Sequence, residues 1–128
     1  MLSTLARSLL AVAAFILIAS SLLHASAFGK VTDGIAASGL SPLLGNAYRA
    51  LWMADSTTSA AVGLLAALFT VRPPLAAPPV ILLLALIPAF TAVFVYRFLG
   101  PYPPGHLMAV TTVLMVAAAL LPRRAAAA

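Results

Sequence analysis

Four runs of apolar residues, at 8–23, 51–71, 80–95 and 107–121, alternate along this chain with breaks rich in glycine, proline and polar side chains. As α-helices they would be about 22–30 Å long, close to the roughly 30 Å hydrocarbon core of a bilayer. With their flanking turns the predicted spans are approximately 5–24, 48–71, 79–98 and 105–121. No run shows the strict two-residue alternation of a membrane β-strand, which excludes a barrel. The pattern predicts an all-α protein, an integral membrane four-helix bundle forming a single transmembrane domain over residues 1–128.

The breaks differ in character. Residues 25–48 form the longest and least lipid-like one. Within it, Thr32-Asp33-Gly34 reads as a turn, because aspartate can bond its own backbone and glycine accepts positive φ. Residues 35–44 are mildly apolar and interrupted by Gly39 and Pro42. They read as a short interfacial helix, a shallow re-entrant piece or a plain surface loop. Asn46 is a candidate N-cap for the second span. The second break, at 72–79, holds four prolines and is stiff, and the third, at 100–105, is a tight proline turn that places His106 at the mouth of the last helix.

The first run admits two readings. Arg7, an apolar core over 9–23 and then Ala25-Ser26-Ala27 match a secretory signal with a small-x-small cleavage site. That core is at or beyond the long end of the usual 7–15 residues, which favours a retained helix.

Composition removes the soluble alternative. The 128 residues are 64% hydrophobic and 7% charged, too few charges to coat a globule of this size, so lipid must be the solvent. The formal net charge of +5 does not indicate nucleic acid, because the basic residues are scattered singly at the ends of apolar runs. That is the distribution of headgroup anchors and topology signals. Arg7, Arg72, Arg123 and Arg124 fall on one side, and Lys30, Arg49 and Arg97 on the other, which predicts cytoplasmic termini. There is no cysteine to report a redox compartment.

Against this background Asp55 stands out. It is one of two acidic residues in the chain and lies inside the second apolar run. An ionised carboxylate at membrane depth is costly unless paired, so it marks a candidate site. Tyr48, Trp52, Asp55 and Ser59 share one helical face, and Gly63 continues it into a small-x-x-x-small pattern suited to close helix approach. The hydroxyls of this helix are expected to bond back to their own carbonyls. Arg49 lies about 240° around the helix from Asp55 and points elsewhere. Arg97, His24 and His106 map to the outer ends of their helices, which predicts a polar cluster of His24, Trp52, Asp55, Arg97 and His106. An Asp55–Arg97 pair would serve equally as a structural lock or as part of a working site.

No metal or cofactor is predicted. Zinc would need three or four ligands, and bis-histidine haem would need His24 and His106 face to face, with no local His-x-x-x-His to support either. There is also no Gly-x-Ser-x-Gly, no glycine-rich phosphate loop and no Cys-His pair, so no catalytic residue is assigned and the chain is not expected to be an enzyme.

A first helix ending Leu22-Leu23-His24, a Gly29-Lys30 turn with a partly apolar outer segment, a second helix opening Arg49-Ala50-Leu51-Trp52 and a Gly/Pro loop before a short last helix complete the pattern. In this layout the chain resembles the small four-helix bacterial inner-membrane proteins grouped as DoxX-like. The resemblance implies the fold and a multi-pass location in a bacterial inner membrane. The small-residue face and the buried charge together suggest a non-enzymatic assembly or accessory subunit, its partners being the bilayer and another membrane protein or a second copy. The alternative is a proton-coupled transporter or binder of a small lipophilic molecule that uses Asp55.

Overall fold

The computed structural model describes residues 2–122. They form α1 (Thr4–Ser26), α2 (Phe28–Ala37), α3 (Pro42–Val71), a short 3-10 turn (Pro73–Leu75), α4 (Pro78–Leu99) and α5 (Pro103–Leu120), with no strand among the described residues. Helices α1, α3, α4 and α5 are each long and apolar enough to cross a membrane. The chain is a multi-pass, all-α membrane protein; α1, α4 and α5 lie within two residues of the predicted spans, while α3 starts at Pro42, six residues before the predicted 48. Arg123 and Arg124, on which the orientation reading partly depends, lie outside the described residues.

Three local expectations fail, all in the first break. Gly29-Lys30, read as a turn, lies in the first turn of helix α2. Thr32-Asp33-Gly34 is not a turn: it lies within α2, and the chain reverses later, at Ser38 and Gly39, where Gly39 takes φ +70°. Asn46 is not an N-cap. Helix α3 begins earlier, capped by Ser41, whose Oγ accepts from the Leu44 amide at 3.4 Å, with Pro42 in its first turn. Proline at that position has no amide to waste and a φ already suited to the helix, so Ser41-Pro42 starts a helix rather than interrupting one. Asn46 instead accepts a bond from Arg49 at 2.9 Å within the helix.

Helix α1 is central. Its buried stripe of Ala6, Leu10, Ala13, Ala14, Leu17 and Ser21 follows the helical repeat and is rich in small side chains. In lipid there is little hydrophobic drive between helices, so close packing of such residues is what holds them together. The tightest approach is at Gly63 of α3, where an added Cβ would lie 2.8 Å from Ile18 Cγ1 and 3.2 Å from the Ala14 carbonyl oxygen. The small-x-x-x-small stripe of Ser59 and Gly63 is therefore occupied within the chain, against α1. A second close approach, at Gly105, seats α5 against Val95 and Tyr96 of α4.

The helices pack in the order α3, α1, α5, α4, and α3 and α4 meet only sparsely, so the bundle has a seam between them. Arg7 Nε donates to the Thr70 carbonyl at 2.9 Å, placing the start of α1 at the end of α3. This puts a cation at a helix C-terminus, where the dipole favours it. Large apolar side chains such as Phe15, Leu64, Leu83 and Phe90 face outward all round, the inside-out distribution that a lipid solvent permits.

Candidate functional site

The polar site forms where the last turn of α1 crosses α3. Trp52 Nε1 donates to the His24 carbonyl at 2.9 Å, a carbonyl near the end of α1, where helical partners run out. The His24 ring lies flat on the Trp52 indole, with centroids 3.7 Å apart and an interplanar angle of 13°. One turn along, Ser21 Oγ donates to the Ser56 carbonyl at 2.7 Å, a buried bond tying the same two helices. His24 is thus fixed from its backbone, its ring face and its ring nitrogen.

That nitrogen, Nδ1, lies 2.8 Å from Ser56 Oγ and 3.8 Å from Asp55 Oδ2. Ser56 Oγ also lies 3.1 Å from the Trp52 carbonyl, which can only accept, so the single hydroxyl proton goes there. The hydroxyl oxygen then accepts from His24, and both neighbours of Nδ1, an oxygen lone pair and a carboxylate, favour a proton on it. The network assigns His24 the Nδ1–H tautomer and aims its positive edge at Asp55.

Of the five residues predicted to cluster, the structure brings together His24, Trp52 and Asp55. It separates the other two. Arg97 does not reach Asp55: its guanidinium lies over the ring of Phe98, its neighbour in sequence, 5.7 Å from the centroid, and it makes no ion pair among the described residues. His106 is held across the proline turn by Tyr96, whose hydroxyl is 2.7 Å from His106 Nδ1. Among the described residues no group of three His, Asp or Glu side chains is placed to hold a metal ion. Asp55 is also only half-enclosed, its side chain 46% exposed. Ser21 and Ser56 were not singled out by sequence. The available signal was their spacing, Ser21 one turn before His24 and Ser56 beside Asp55.

The reason for that exposure is a cavity. About 360 Å³ in volume, it lies at this end of the bundle between α1, α3, α4 and α5. Its polar lining includes Asp55, His24 and the hydroxyls of Ser20, Ser59, Thr91 and Tyr102, and its walls are mainly apolar, with Val95, Leu107 and Met108 on the α4 and α5 side. Asp55 and Thr91 also line a shallow groove that continues past Phe94 and Phe98 along the outside of α4. The seam between α3 and α4 therefore leads from the lipid-facing surface to the carboxylate.

Compared with family models, with curated proteins and with solved structures, the chain matches none.

Proposed function

We propose that this protein binds a small lipophilic molecule that enters sideways from the bilayer, in a bacterial inner membrane as the DoxX-like resemblance implies. The observation that carries this reading is the apolar cavity, open through the α3–α4 seam, with the one acidic side chain of the spanning helices at its mouth. Ligand sites are concave and mostly apolar, with a few fixed polar groups, and a cavity of this volume is of the right order for a small organic molecule. The assembly-subunit reading drew on the small-residue stripe of α3, and that stripe is packed against α1. No catalytic role is proposed for any side chain.

The chain contains one tryptophan, and Trp52 lines the cavity, so intrinsic fluorescence reports occupancy without a label. A brominated alkane, titrated into protein in lipid nanodiscs, should quench Trp52 with a saturable component above the linear one from bilayer partitioning. Thr91→Phe, which places a ring in the α4 wall, should remove the saturable component and leave the linear one. Purely linear quenching, identical in both proteins, would end this reading. Stable co-purification with a membrane partner in mild detergent, without saturable binding, would return it to assembly. Flux of the bound molecule into liposomes would make the binder a transporter.

Orientation is tested separately. In intact cells a cysteine introduced at Lys30 should react with an impermeant reagent while one at Ala125 stays protected. The reverse pattern would invert the topology proposed from the arginine bias.

A further inference from the structure

We infer that the ligand is a lipophilic monocation, an aromatic or alkyl ammonium, with Asp55 as its counter-ion. This rests on the cavity being a ligand site and specifies what that site selects. A carboxylate only accepts hydrogen bonds, so a neutral acceptor such as a quinone or ester carbonyl finds no donor in Asp55. Among the described residues, no lysine or arginine lines the cavity. Arg97, the basic side chain of α4, is turned onto Phe98 and leaves Asp55 without a permanent cation among the described residues. Among the described residues, the one basic group within 4 Å of Asp55 is the His24 imidazole, at 3.8 Å, beyond hydrogen-bond length. Its Nδ1 proton is already given to Ser56.

The surroundings suit a cation in a second way. The groove leading to Asp55 passes the ring of Phe94, and Tyr102 stands in the cavity lining, while the Phe98 ring is already taken by Arg97. Aromatic faces attract an ammonium group, and more so where water is sparse. An anion that passes Arg97 on the same route meets the Asp55 carboxylate at the cavity. A bound cation would sit between Asp55 and these rings, with its apolar part against Val95, Leu107 and Met108. His24 stays held in place by Trp52 and Ser56.

Three probes of similar size separate charge from shape: phenyltrimethylammonium, its neutral isostere tert-butylbenzene and the anion benzenesulfonate. Each is titrated against Trp52 fluorescence in nanodiscs of zwitterionic lipid. The cation should bind saturably and benzenesulfonate should not. Asp55→Asn should weaken the cation by at least about tenfold, or about 1.4 kcal/mol, while changing the neutral isostere by less than about twofold. Asp55→Glu should retain most of the cation affinity. If Asp55→Asn does not fold, the comparison of cation with anion on the unaltered protein still decides. Equal saturable binding of cation and anion, or a cation affinity indifferent to Asp55→Asn, overturns the inference and leaves the cavity as a site for neutral lipophiles. If no probe gives a saturable signal, the ligand-site reading falls with it.

Discussion

Gly63→Val should cost the folded protein about 1–3 kcal/mol, read as a lower thermal midpoint of the helical signal in detergent. The valine Cβ alone would approach Ile18 Cγ1 to 2.8 Å, Leu17 Cβ to 3.1 Å and the Ala14 carbonyl oxygen to 3.2 Å. The first of these can swing aside as a side-chain tip. The carbonyl is backbone and moves only if α1 and α3 separate. Separation would also stretch the bonds from Ser21 to the Ser56 carbonyl and from Trp52 to the His24 carbonyl, so the polar site should loosen with the fold. Gly34→Ala is the matching control. Nothing lies within 4 Å of its added Cβ, so the substitution should be neutral or gain up to about 1 kcal/mol from helix propensity. If the two variants melt together, close approach at Gly63 is not what holds α1 to α3.

A chain lacking residues 1–27 should fail to accumulate as a folded membrane protein. Helix α1 lies between α3 and α5, and without it α3 keeps only sparse contacts with α4. Leu10 and Leu17 are fully buried side chains of the core and would leave with it. Hydrophobic burial does not repair such a loss in lipid, because acyl chains wet the exposed faces as readily as leucine does. What disappears is packing, together with the three hydrogen bonds that fix His24 and Ser56. The measurement is the amount of folded protein in membranes and its elution in mild detergent, beside the intact N-terminus found by mass. A truncated chain that folds and binds the same probes would show that residues 1–27 act as a leader and the other three spans suffice.

The four spans were legible because lipid imposes a simple demand, a long apolar run with its backbone bonds satisfied internally. The first break was harder. Serine followed by proline ends one kind of structure and begins another, and position alone does not say which, so the start of α3 and the existence of α2 were misread. The polar site was legible in proportion to its isolation. Asp55 had no local partner, and helix-end levels pointed to His24. Arg97 and His106 went astray because each has a nearer partner than the distant acid. Phe98 is adjacent in sequence, and Tyr96 lies just across the turn. Ser56 was passed over because its hydroxyl does bond back to its own helix, at the Trp52 carbonyl. That bond is also what leaves the oxygen free to accept from His24.

Helix α3 has 30 residues and is about 45 Å long, against a hydrocarbon core of about 30 Å. Measured back from Val71, the hydrocarbon thickness is used up near Leu51. Asp55 then lies only about 6 Å inside the boundary, and the first turns of α3, with α2 beside them, stand among the headgroups. The carboxylate is thus about one helical turn below the level where the charged end of an amphiphile rests. An amphiphile with its tail in the acyl chains meets Asp55 by moving along the leaflet, and its charge never has to cross the middle of the bilayer.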